Sequence, residues 1–464
     1  MGSPVCRILA FAFAFAALLL LLGVSSARAQ EVNRGEAPTS SSVEDMNGAI
    51  EGGFEDEEVA EPRFPRLSRA IAALPPFLRD TELSFSGRTY YWDHWRSDNT
   101  RGTAWAMGGA LEYHSGFLFE RFRVGAALYT SQPIVAPDSR GGTGLLRPVQ
   151  EGYTVAGQGY LEMKFWDDNS LKLYRQEVDL PYVNKNDTRM TPNTFEAYLV
   201  RGRKSDVRWL RDVSYSAGYI RKVRLRDQDK FIHMSEAAGD SNGNDGMASA
   251  TFAIKPRENV TIGVTNHFVN DAFNTFYVEG SHFRKVMDDV GLRLEGQYTW
   301  QASTGSESSS AGSFDAWNVA LRGAASWKGA ILTLAGSFTS QEETIQSPWG
   351  LWPGYLGLML SDFDRAGESA VLVGVSYDFK GVGAPGLSAF FNFATGFDAK
   401  SALGSSSAKF TDQREVDLTL DYVFEEGFLK GLWLRTRGAW RREEGAPRDD
   451  YQLRVILNYD FPIL

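Results

Sequence analysis

The stretch Tyr451-Gln452-Leu453-Arg454-Val455-Ile456-Leu457-Asn458-Tyr459-Asp460-Phe461 decides the fold. Its odd positions are Tyr451, Leu453, Val455, Leu457, Tyr459 and Phe461; its even ones are Gln452, Arg454, Ile456, Asn458 and Asp460. Side chains of a strand alternate between faces, so one face is apolar with aromatic ends and the other mostly polar. The pattern recurs upstream. Val416, Leu418, Leu420, Tyr422 and Phe424 oppose Glu415, Asp417, Thr419 and Asp421. Val371, Val373, Val375, Tyr377 and Phe379 form a third apolar face, and Val290, Leu292, Leu294, Tyr298 and Trp300 a fourth.

Two architectures produce such strands. A soluble sandwich buries the apolar face, whereas a membrane barrel turns it toward lipid and keeps the polar face in the lumen. The connections separate them. Backward from the C-terminus, segment 442–450 is long, 425–431 short, 397–414 long, 380–386 short, 340–368 very long, 328–329 tight, and 301–315 long and Ser-rich. Short turns on one rim with long loops on the other identify an all-β, transmembrane antiparallel barrel. Residues 290–461 hold eight strands. Ten more are expected to start near Thr81, Thr103, Arg121, Tyr153, Asn169, Thr194, Arg211, Met247, Glu258 and Thr275. The total is about 18, which leaves both termini on the short-turn, periplasmic rim and encloses a water-filled lumen.

Composition is compatible with this. The 464 residues carry 48 Lys+Arg against 58 Asp+Glu, a net charge of −10 that argues against nucleic-acid binding. The single cysteine, Cys6, excludes a disulfide scaffold. Arg7, the apolar run Ile8–Leu22 and Ala27-Arg28-Ala29 read as a cleaved signal peptide over 1–29. A membrane anchor is the alternative, but 15 residues span only about 22 Å as a helix. Residues 30–62 hold ten acidic side chains and one basic one, Arg34. They read as a flexible acidic arm, either a solvated linker or a partner-binding segment. With a periplasmic segment the arm runs to 79, and the barrel domain is expected over 80–464.

Four segments resemble the OprD family of outer-membrane porins. They are Phe85–Asp93 (FSGRTYYWD), Ala104–Phe117 (AWAMGGALEYHSGF), Asn186–Glu196 (NDTRMTPNTFE) and Asp362–Glu368 (DFDRAGE). The resemblance runs from about residue 80 to the end. It implies an 18-stranded, monomeric barrel in the bacterial outer membrane, surrounded by lipid and passing small water-soluble solutes such as amino acids or carboxylates. It also implies a channel narrowed by the third and seventh long loops and lined by a ladder of basic residues. One departure is Leu464 at the terminus, where many such barrels end in an aromatic residue; Phe461 stands nearby.

Inward parity nominates Arg88, Lys172, Lys222, Arg293, Arg322, Arg435, Arg437, Arg441 and Arg454. A guanidinium donates two parallel hydrogen bonds to a carboxylate and stays charged, so a row of them would pass an anion between weak sites. The densest cluster, Arg435, Arg437 and Arg441, matches the place of the family's ladder. Glu415, Asp417 and Asp421 point inward beside it, and cross-strand ion pairs would instead brace the wall. In the third loop, 178–193, Tyr182, Asn186, Asp187 and Arg189 are constriction candidates; in the seventh, 340–368, they are Ser347, Trp349, Tyr355 and Asp362. Asp187, Arg189, Arg365 and Glu368 would equally serve to tie down loop ends.

No catalytic, cofactor or metal site is expected. The glycine pattern Gly381-Val382-Gly383-Ala384-Pro385-Gly386 lies between two strands and reads as a turn. His94, His114, His233, His267 and His282 show no metal-ligand spacing. A barrel enzyme (lipase or protease) and a surface receptor or adhesin with a closed lumen are the rival functions.

Overall fold

The computed structural model describes residues 71–464 apart from 167, 208, 288, 401–409 and 428. The expected signal peptide 1–29 and acidic arm 30–62 lie outside the described residues.

Eighteen long strands form the wall. They are β1 (Glu82–Trp95), β2 (Arg101–His114), β3 (Phe122–Val135), β4 (Tyr153–Lys164), β5 (Asn169–Gln176) and β6 (Thr194–Val207). Next come β7 (Leu210–Arg224), β8 (Met247–Arg257), β9 (Val260–Val269), β10 (Phe273–Met287), β11 (Val290–Ser303) and β12 (Asp315–Trp327). The last six are β13 (Ala330–Thr339), β14 (Ser369–Asp378), β15 (Leu387–Lys400), β16 (Phe410–Val423), β17 (Trp433–Glu443) and β18 (Asp450–Pro462). Each pairs antiparallel with its sequence neighbour. β1 also pairs with β18 from Ser84↔Pro462 to Trp95↔Tyr451, so the sheet has no free edge. Closure is what lets strands cross hydrocarbon, because it leaves no edge of unpaired N–H and C=O groups facing lipid. A nineteenth, two-residue strand, Ile232–His233, lies in the loop after β7 and stays outside the wall. The ten N-terminal strands begin within two residues of their expected starts.

The two faces sort as alternation requires. On β16 Leu418 and Leu420 are exposed on the outside, while Glu415, Asp417, Thr419 and Asp421 are buried on the inside. On β18 Tyr451 and Leu453 face out; Gln452, Arg454 and Asn458 face in. Exposed Leu, Val, Phe and Trp belt the barrel, a band water would not tolerate and lipid covers.

Loop length alone misreads one corner. The inner turn 424–432 has nine residues, more than the outer loop 444–449, and the outer link 270–272 has three. Strand parity, not length, assigns the rims there. The long outer loops are 136–152, 177–193, 225–246, 304–314 and 340–368, called here loops 2, 3, 4, 6 and 7.

Candidate functional site

Loop 3 begins as an apolar segment. Val178, Leu180, Tyr182 and Val183 pack with Phe195, Leu199, Ile220, Phe273 and Tyr277 in a core inside the barrel. Two polar links fix it there: the carbonyl of Pro181 bonds His267 Nε2 on β9 at 2.7 Å, and Tyr182 Oη lies 2.7 Å from Thr299 Oγ1 on β11. The next residues reach β1. Arg88 donates a bidentate pair of bonds to Asp187 at 2.6 and 2.9 Å, Tyr90 Oη donates to the carbonyl of Thr188, and Met190 packs beside Tyr90 and Trp92. In a ring of eighteen strands β1 stands opposite β9–β11. Loop 3 therefore crosses the lumen.

Loop 7 follows the same interior. Gln346 and Gln301 of β11 exchange bonds at 2.7 and 2.8 Å. Trp349 stacks on Phe273 and donates to the carbonyl of Met234. Its far end is clamped to β16–β18: Met359 N–H donates to Asp417 at 2.9 Å and Leu360 N–H to Glu415 at 2.7 Å. Arg454 donates to the carbonyl of Met359 and Arg441 to Ser361 Oγ, each at 3.0 Å. Asn184 stitches the two loops, its Oδ1 accepting from Leu351 N–H at 2.8 Å and its Nδ2 donating to Leu351 O at 3.0 Å. A Cβ on Gly350 would stand 2.7 Å from Asn184 N, so only glycine permits the approach.

The nominated cations divide by partner. Arg435 forms a bidentate pair with Asp421, both bonds 2.7 Å, and Arg322 bonds Glu295 at 2.9 Å. Arg441 pairs with Asp450, and Arg88 with Asp187. Lys172 Nζ lies 3.6 Å over the Tyr160 ring, Arg293 lies 5.9 Å from the Phe283 ring toward the inner mouth, and Lys222 sits at the outer end of β7 opposite His233. Arg437 and Arg454 are different. They are direct cross-strand neighbours, and among the described residues no carboxylate is ion-paired to either.

The loop candidates also separate. Tyr182 is 0 % exposed and Trp349 1 %, so both lie behind the lumen surface, and Tyr355 is buried against Arg322. Ser347 is half-buried. Asn186 accepts from Thr188 Oγ1 and from Arg226. Arg189 donates to the carbonyl of Thr143, and its guanidinium carbon lies 4.0 Å from the centre of the Trp92 ring. Asp362 opens onto the lumen with the wall around it; that burial pushes its carboxyl up to about 6, opposed by the charge of Arg226. Burial and the charges of Arg226 and Arg454 lower the Arg189 pKa. Burial lowers that of Arg226 too.

Glu415 and Asp417 bind loop 7 backbone, not the arginines; only Asp421 of the three neutralises a member of the cluster. Arg226 lies beyond the end of β7, outside the strand pattern that marks the other lumen cations. The signal was there: Lys222, Arg224 and Arg226 continue the inward parity past the strand end.

A family model described as outer membrane porin, OprD family, matches residues 75–463. The chain belongs to the OprD family of outer-membrane porins. No curated protein sequence matches it. Solved structures share the fold of this OprD-family porin. OccK8 (OprE) of Pseudomonas aeruginosa is 20% identical with a TM-score of 0.72, covering 84% of this chain and 100% of its own. OpdK of the same organism, solved with vanillate, is 21% identical with a TM-score of 0.74, covering 83% and 100%. A BenF-like porin from Pseudomonas fluorescens is 17% identical with a TM-score of 0.71, covering 83% and 100%. The OprD-family barrel resides in the bacterial outer membrane and passes small solutes by passive diffusion.

Proposed function

We propose that this porin is moderately substrate-selective and favours small carboxylates, acting as a monomer and without catalysis. The observation that carries this is the Arg437–Arg454 pair on inward positions of β17 and β18, with Arg437 half-buried at the lumen surface, Arg454 buried just behind it, and no carboxylate ion-paired to either among the described residues. Arg189 and Arg226 add two further cations at the loop 3 crossing, facing the carboxylates of Asp227 and Asp362. An entering carboxylate exchanges hydration for forked N–H donors and moves from one arginine to the next, each site too weak to trap it. The solved relative with vanillate, an aromatic carboxylate, is consistent with this class. Asp362 supports a second solute class, α-amino acids, whose ammonium it would meet while the arginines hold the carboxylate.

Liposome swelling with carboxylates, amino acids and sugars of matched size tests the proposal. Fastest swelling with the carboxylates is expected. Equal rates for sugars and acids would remove the selectivity, and catalytic turnover without conductance would replace the channel by an enzyme.

A further inference from the structure

Several lumen arginines of this barrel are fixed by a carboxylate, which also cancels their charge. Arg435 has Asp421 and Arg322 has Glu295. Arg189 and Arg454 are fixed differently. Both guanidinium carbons lie 4.0 Å from the centre of one ring, that of Trp92. Trp92 and Arg454 are direct cross-strand partners on β1 and β18, and Arg189 reaches the same indole from loop 3. The other cross-strand neighbour of Trp92 is Ala104, which leaves room beside the ring for loops 2 and 3.

Trp92 is 3 % exposed, and among the described residues its Nε1 has no hydrogen-bond partner. A buried, unpaired N–H costs free energy that phenylalanine would not incur. What tryptophan supplies in return is the largest and most electron-rich face, the best aromatic partner for a cation. A ring attracts a guanidinium through its quadrupole and carries no net charge, so it orients the group without neutralising it.

Given that the charges of Arg189 and Arg454 act on the solute, as proposed above, we infer that Trp92 is the positioning residue for the channel's anion preference. It holds one arginine from the wall and one from the loop 3 crossing in fixed places with their charge uncancelled. Where the ring is absent, Arg189 loses a restraint against turning toward Asp227, and Arg454 one against turning toward Asp417, the acids whose charges they already feel.

The test is a substitution series at position 92, W92F, W92M and W92L, with R454A as reference, read as the chloride-to-potassium permeability ratio in planar bilayers under a salt gradient. Heat-modifiable gel migration checks that each barrel folds. The ratio is expected to fall in order of ring strength, W92F least, with W92M about two- to fivefold below the parent, the factor a lost cation–π contact represents. Because the trend is read across the series, one misfolded member leaves it legible. A flat series beside a lowered R454A overturns the role of Trp92 while the arginines keep theirs. An unchanged R454A overturns the arginine contact itself.

Discussion

Arg437 and Arg454 stand directly opposite each other on inward positions of β17 and β18. Like charges in facing cross-strand positions disfavour pairing by about 0.2–1 kcal/mol, a cost that a merely structural wall would remove. Each is held by neutral groups: Arg437 by Thr419 Oγ1 at 3.1 Å, and Arg454 by Gln452 Oε1 at 2.6 Å and the carbonyl of Met359. Two cations positioned by neutral partners keep their field for something that passes.

Replacing Arg437 with glutamine is therefore expected to separate function from stability. R437Q should lower anion preference in reversal-potential measurements while leaving the barrel as stable as the parent, or more stable by roughly 0.5 kcal/mol. Urea titration in detergent provides the second readout. A large loss of stability with unchanged selectivity would make the residue a structural brace.

The neutralised arginines give the opposite expectation. Removing the acid in D421N or E295Q leaves Arg435 or Arg322 charged and without its carboxylate. Anion preference should rise in each variant, with a stability cost of roughly 2 kcal/mol for the lost charge-assisted bonds. The same bilayer recording and thermal unfolding measure both. A fall in anion preference would show that these arginines do not face the solute path.

Asp362 predicts a pH dependence. The wall around it pushes its carboxyl up to about 6, so the neutral form gains below that value and the negative form above it. The added negative charge near Arg226 opposes anions, and anion preference should decline as pH rises through that range. The D362N channel should hold the low-pH selectivity throughout. A pH profile identical in parent and variant would assign the titration elsewhere.

The loop junction should control width rather than charge. The Asn184 side chain links loops 3 and 7 through bonds to Leu351 N–H, Leu351 O and Asn186 N–H. N184A, or G350V, which inserts atoms where a Cβ already meets Asn184 N at 2.7 Å, should loosen the crossing. Single-channel conductance and current noise are expected to increase with little change in the permeability ratio. Unaltered conductance would mean that the crossing does not limit flow.

Period-two alternation made the wall legible. The polar and apolar faces of Tyr451–Phe461 and Val416–Tyr422 project as their parity requires, since one-residue slips would put Arg454 or Asp417 into lipid. Loops carry no such period. Tyr182 and Trp349 looked available for solute, yet a loop that enters the lumen must build its own core, and large aromatic side chains form it. Glu415 and Asp417 looked like partners for the arginines; the tip of loop 7 arrives with two bare N–H groups and takes them instead. Where a loop tip lands is a tertiary fact with no local signature. Arg226 shows the intermediate case, a strand rhythm that continues into a loop.

The most direct measurement is current through a single molecule of the purified protein in a planar bilayer under a potassium chloride gradient, for the parent and for the R437A/R454A double variant. Stepwise currents are expected, with the parent's reversal potential displaced toward the chloride equilibrium value and the variant's displaced less. A silent bilayer, or a parent and variant reversing at the same voltage, would contradict an open passage governed by uncancelled arginines.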